Sequence, residues 1–139
     1  LLEHFPFSKT NERILLPRVQ SGGRNIIAEK FREMGATVDE VATYESRCPT
    51  TMPKETEQAF KEGIIDAIIF SSGKTVFNSA FLLEKYLGNQ WLTIIENIHL
   101  FTIGPQTSIA CKKVFNRVNK QAESFTFEGL LEATISYFN

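Results

Sequence analysis

An apolar segment, Ile68-Ile69-Phe70, runs directly into Ser71-Ser72-Gly73-Lys74-Thr75, and residues 74–86 then carry apolar side chains at helical spacing. Short apolar strands with little alternation belong to parallel sheets covered on both faces. The turn that follows such a strand leaves the next helix's first N–H groups unpaired and aimed outward. The pattern recurs at Leu100-Phe101-Thr102-Ile103-Gly104-Pro105-Gln106-Thr107. A longer, basic version runs from Ile14-Leu15-Leu16-Pro17-Arg18 to Gly22-Gly23-Arg24. The repetition predicts an α/β fold that holds three strand-to-helix turns along one edge of a sheet.

Taken in order, residues 14–16 read as a short buried strand. Residues 24–34 read as a helix with Ile27, Phe31 and Met34 on one face, stopped by Gly35. Residues 37–45 are extended but half polar (Asp39, Glu40, Thr43, Glu45), as suits an edge strand or one bridging two bodies. After Pro49 and Pro53, residues 55–62 form a short helix, 64–70 a strand and 74–86 a helix with Val76, Ala80 and Leu83 inward. A helical turn over 90–97, a strand over 98–103, a helix over 107–115 and an outer strand over 117–121 follow. A last helix over 127–138 has Phe127, Leu131, Thr134 and Phe138 on one side. Strand and helix alternate throughout, so the expected architecture is flavodoxin-like: a parallel five-stranded sheet with helices on both faces and right-handed crossovers. Ligands of such sheets sit beyond the carboxyl ends of the strands.

With 139 residues the chain has the size of one domain, and its 42% apolar and 22% charged content is ordinary for a globular protein. A net charge of −1 supplies no field to draw in nucleic acid or an acidic membrane. No apolar run approaches the roughly 20 residues of a membrane span. Cys48 and Cys111 lack metal or redox spacing; one disulfide is a reading, two reduced thiols the plainer one. The sequence starts without methionine, and Leu1-Leu2-Glu3 echoes Leu130-Leu131-Glu132. The expectation is that residues 1–13 are the remnant of a preceding helix and linker in a duplicated protein.

Ser71, Ser72 and Thr75 offer hydroxyls and N–H groups at a helix start. Such residues are often only N-caps, worth about 1 kcal/mol; the same groups also make a seat for an anion. Gly73-Lys74-Thr75 looks like the tail of a phosphate loop, but that loop needs a glycine where Ile68 stands, so nucleotide hydrolysis is rejected. Asp66 lies at the beginning of its strand, the wrong end for a phosphoacceptor. Arg18 and Arg24 flank a glycine-bearing loop; they are either solvated arginines or attract an acidic ligand. No Cys/His cluster suggests a metal, and no nucleophile adjoins a base. Tyr44 can be a plain edge aromatic, yet its phenol keeps a proton at neutral pH and can donate it to a leaving oxygen.

These residues resemble uroporphyrinogen-III synthase. The likeness runs through Ile14 to Arg18 with Gly22-Gly23-Arg24, Val38-Asp39-Glu40-Val41-Ala42-Thr43-Tyr44, residues 66–72, Ile103-Gly104-Pro105-Gln106-Thr107-Ser108 and Phe125-Thr126-Phe127-Glu128-Gly129-Leu130. The resemblance implies a lyase of tetrapyrrole and heme biosynthesis, acting in the cytoplasm without metal or organic cofactor. Its substrate is the linear tetrapyrrole hydroxymethylbilane, which loses water and closes with inversion of the last pyrrole. The resemblance assigns Tyr44 to assist departure of the hydroxyl. It assigns Arg18, Gly23, Arg24, Ser71, Ser72, Gly73, Thr75, Gly104, Pro105 and Thr107 to the substrate, largely through backbone amides and hydroxyls. Gly73 stands where the family commonly has proline.

The likeness is to the family's second half. Full-length members are monomers of two similar α/β domains joined by a two-stranded ladder, with a cleft between them. In that layout residues 14–46 belong with a partner domain, or are exchanged with a second copy, while the remainder of the 14–139 module forms the other lobe. The expected turnover of this chain alone is low. The alternative reading is a non-catalytic half of a two-lobed small-molecule binding or sensor protein.

Overall fold

The computed structural model describes residues 12–20 and 25–139. The chain divides into two compact units, Leu1–Cys48 and Pro49–Asn139. Most of the expected lead-in, residues 1–11, lies outside the described residues, as do Gly22, Gly23 and Arg24.

In the first unit, β1 (Arg13–Val19), α1 (Ile26–Glu33) and β2 (Thr37–Tyr44) form one parallel crossover. Ile14, Leu16 and Val38 pack with Ala28 and Phe31 of α1. Ile27 and Met34, expected on the same helix face, are exposed; Ala28, with no side chain beyond Cβ, lets the helix sit close to the strands. The register breaks between Arg18 and Val19, where Val19 pairs with Tyr44 rather than Thr43. Thr43 is the extra residue of a bulge.

The second unit contains α2 (Lys54–Glu62), β3 (Ala67–Phe70), α3 (Gly73–Leu87), a 3-10 turn (Gly88–Gln90), α4 (Trp91–Ile94), β4 (His99–Thr102), α5 (Pro105–Phe115), β5 (Lys120–Gln121) and α6 (Phe127–Phe138). Gly63 ends α2 at φ 70°, the left-handed conformation glycine adopts without strain. The three strands run parallel in the order β3-β4-β5, with Phe70 level with Thr102 and Phe101 level with Lys120. One face of the sheet meets Val76, Leu83, Ala110, Cys111 and Phe115 around Phe70 and Leu100. The other packs Phe101 and Ala122 against Leu130 and Ala133 of α6. Burying a Leu or Phe in this way contributes roughly 1.5–3 kcal/mol each.

Parallel strands, α/β alternation and the helix spans agree with the sequence reading, but the five strands form a two-stranded and a three-stranded sheet, not one five-stranded sheet. The cause is visible in β2. Seven of its eight residues are exposed and only Val38 is buried, whereas a strand inside a doubly covered parallel sheet must be apolar on both sides. In α6 the side that carries Phe127, Leu131, Thr134 and Phe138 is not the one packed on the sheet. Phe127 and Leu131 are exposed, and the helix instead turns Gly129, Leu130 and Ala133 inward. Seven of the twelve α6 residues are apolar and they are spread round the helix, so spacing alone admits either stripe; Ala133, with nothing beyond Cβ, lets the helix sit close to Phe101 and Ala122.

Candidate functional site

Three turns leave the carboxyl edge of the three-stranded sheet side by side: β3–α3, β4–α5 and β5–α6. The first and second are the expected ones. Ile103 N–H donates to the Phe70 carbonyl at 3.0 Å, tying them together at the strand ends. The expected third, after β1, belongs to the two-stranded sheet. Its place on this edge is taken by residues 122–126, whose Ser124-Phe125-Thr126 carries the same hydroxyl signature before a helix as Ser71-Ser72.

The three helix starts differ chemically. Ser72 and Thr75 close a capping box on α3: Thr75 N–H donates to Ser72 Oγ at 3.2 Å, and Ser72 N–H donates to Thr75 Oγ1 at 3.3 Å. Thr126 Oγ1 accepts from Gly129 N–H at 3.1 Å on α6. The α5 start has Gly104 as N-cap and Pro105 after it, and no side chain caps it. The middle turn is therefore the one whose helix start has no side chain accepting from its first-turn N–H groups.

Beneath that turn lies a buried hydroxyl chain that the sequence reading did not single out. Ser108 Oγ donates to Gln121 Oε1 at 2.7 Å, so the 2.7 Å contact between Thr102 and Ser108 is a donation from Thr102. Thr102 and Ser108 are both buried, and the chain fixes the ends of β4, α5 and β5 to one another.

Of the other sequence candidates, Ser71 and Thr75 are exposed. Gly73 lies where a Cβ would meet Ala110 Cβ at 3.3 Å, which ties its lack of a side chain to helix packing. Thr107 is 4% exposed, so little of its side chain reaches the surface of the turn. Pro105 is exposed.

In the first unit Arg18 is not an open cation. It donates to Asn25 Oδ1 at 2.7 Å and to Glu40 Oε2, while Arg32 donates to Glu40 Oε1 at 2.9 Å. These hydrogen bonds, Arg18's first and then Arg32's, hold the Glu40 carboxyl below the usual carboxylate range. Two guanidinium groups share one carboxylate, so the cluster keeps a net positive charge. Tyr44 is 61% exposed, and Gln20 N–H donates to its carbonyl at 2.8 Å. Among the described residues no group of three or more His, Cys, Asp or Glu side chains could hold a metal ion. No helix among them is long and apolar enough to cross a membrane.

A family pattern described as "Uroporphyrinogen-III synthase HemD" matches residues 1–132. A curated protein of Synechococcus elongatus named "Uroporphyrinogen-III synthase" is 41% identical over 133 residues, covering 96% of this chain. The chain spans about half the length of that relative, 50% of it. Identity of this extent along nearly the whole chain, with the family's own pattern over the same residues, makes it a member of the uroporphyrinogen-III synthase family.

Proposed function

We propose that this chain supplies part of the substrate cleft of a uroporphyrinogen-III synthase, which closes hydroxymethylbilane to uroporphyrinogen III with loss of water and inversion of the terminal pyrrole. The observation that carries the reading is the edge of the three-stranded sheet, where an uncapped helix start stands between two capped ones. Such a row of N–H and hydroxyl donors suits a ligand whose periphery is carboxylates. Gly104 and Thr107 serve through the backbone N–H groups of the middle turn, Pro105, which has no N–H, through its exposed ring, and Ser71, Ser72, Gly73 and Thr75 flank it. Arg18, Gly23 and Arg24 also bind the substrate, the two arginines through their positive charge. Tyr44 assists departure of the hydroxyl as a proton donor.

In this reading the two-unit division, together with the place of β3 at an edge of its sheet among the described residues, supports the two-lobed layout with residues 14–46 placed in a partner lobe or exchanged between copies. The full-length protein then works as a monomer in the cytoplasm. The isolated chain turns over little substrate, because positioning is what the fold contributes. The test is cyclisation of hydroxymethylbilane by the full-length protein and by this chain. Activity in the former with Tyr44→Phe slowing ring closure at least tenfold, and product affinity kept, is the expected result. Full activity in a monomeric sample of this chain, or no activity in the longer protein, would end the proposal.

A further inference from the structure

The middle and third turns of the three-stranded sheet meet through an aromatic ring. A Cβ built on Gly104 would lie 3.2 Å from Phe125 Cδ1 and 3.3 Å from its Cγ, so the ring rests on the glycine and would have to give by a few tenths of an ångström to admit a side chain. Gly104 itself is fully extended, at φ 179° and ψ 178°, a backbone open to any residue. The ring, not the dihedral angles, is what calls for glycine. Phe125 nevertheless stays 62% exposed, beside the one helix start of the three that has no side-chain cap. An isolated exposed phenylalanine needs no explanation. One seated on the glycine that caps an α5 start without a side-chain cap has an orientation set by that contact and an open side.

Resting on the tetrapyrrole reading above, we propose that Phe125 is a substrate-binding residue whose open ring side takes a pyrrole ring of a carboxylate-bearing linear tetrapyrrole. The acidic arms of that ring reach the β4–α5 turn. Flat rings pack offset or edge-to-face at ring-centre distances of about 4.5–7 Å, so one ligand can engage the aromatic surface and the adjacent N–H groups together. A ligand with carboxylates but no ring gains nothing from Phe125, which makes the residue a discriminator among polyacids.

The experiment uses the full-length protein containing this segment, with hydroxymethylbilane as substrate. Phe125→Ala is expected to raise KM about threefold to tenfold, the scale of one aromatic contact, with the loss falling on KM rather than kcat. Phe125→Leu, which keeps bulk without a ring, shares the loss, and Phe125→Tyr restores KM to within twofold of the parent. Gly104→Ala shifts the ring by a few tenths of an ångström and raises KM by less than Phe125→Ala does, and added to Phe125→Ala it makes KM no worse. Melting temperatures within a few degrees of the parent separate these effects from misfolding. Unchanged KM in both the Ala and Leu variants, or single effects that multiply in the double variant, overturns the proposal. If the parent protein does not cyclise hydroxymethylbilane at all, the tetrapyrrole reading falls and this proposal with it; an active parent with indifferent Phe125 variants removes this proposal alone.

Discussion

Arg18 and Glu40 face each other across the paired strands β1 and β2, and Arg32 reaches the second oxygen of the same carboxylate from α1. Register explains the first contact: Leu16 is level with Glu40, and Arg18 stands two residues further along on the same side. The ion pair and its hydrogen bonds tie the end of α1 to the sheet at the point where the apolar contacts of Ala28, Phe31 and Val38 stop.

A pH dependence follows from this cluster. The Glu40 carboxyl is held below its unfolded value by hydrogen bonds from Arg18 and Arg32. Its contribution is therefore fully present above the unfolded pKa and is lost as pH falls through the folded one. Urea midpoints of the parent should drop more steeply from about pH 5 to pH 3 than those of Glu40→Gln, which has no proton to take up. Equal slopes for the two proteins would mean that the pair is not linked to stability.

The Ser72 cap makes a second prediction. Its hydroxyl accepts from Thr75 N–H, and Thr75 Oγ1 donates to the Ser72 carbonyl at 2.6 Å. Ser72→Ala should cost about 1 kcal/mol and lower the melting temperature by roughly 4 °C. Ser72→Asp, which keeps an acceptor at the cap, should recover most of it. A cap that mattered only to a ligand would leave both melting temperatures at the parent value.

The strand-to-helix turns were legible because their signal is local. Ile68 to Ser72 and Leu100 to Pro105 state the strand, its end and the helix start within a few residues. What was not legible is which strand pairs with which. By strand–helix alternation β1 and β2 read as members of the same sheet as β3; the half-polar pattern of residues 37–45 points to an edge or bridging strand, and seven of the eight β2 residues are exposed. Arg18 looked like an open cation because its counter-ion, Glu40, is 22 residues away in sequence. The third turn was passed over for a different reason. β5 spans only Lys120–Gln121, too short to show an alternation, so Ser124 to Thr126 did not announce itself as a strand-end turn.

Cys111 offers a chemical check on packing. Neither it nor Cys48 forms a disulfide. Burial pushes the Cys111 thiol up to about 11, against a smaller opposing pull from the Arg117 charge. A raised pKa means that the folded state retains the proton. That contribution is complete below the unfolded value of 9.0 and is lost as pH rises toward about 11. At pH 8 a disulfide reagent should modify Cys111 only on unfolding, whereas half-buried Cys48 reacts in the native protein. The Cys111→Ala variant should show a flatter loss of stability above pH 9.0. Native-state labelling of Cys111 as rapid as that of a free peptide thiol would show that this part of the core opens.

The hydroxyl chain under the middle turn tests whether the site is held from below. Thr102 donates to Ser108, and Ser108 donates to Gln121, with the two hydroxyls shut away from water. Ser108→Ala removes an acceptor for Thr102 and a donor for Gln121 at once. Leaving buried partners unmatched costs about 1–3 kcal/mol. Thr102→Val removes the donor while keeping the shape, and the Ser108 hydroxyl still serves Gln121, so this change should cost less. Because the two variants break one shared chain, the double variant should lose less stability than the single losses added together, by at least about 0.5 kcal/mol. Chemical denaturation of the four proteins measures that difference directly. Strict additivity would show that Thr102 and Ser108 act separately, and that the ends of β4, α5 and β5 are aligned by the apolar contacts of Leu100, Ala110, Phe101 and Ala122 and by the Ala122 N–H bond to the Thr102 carbonyl.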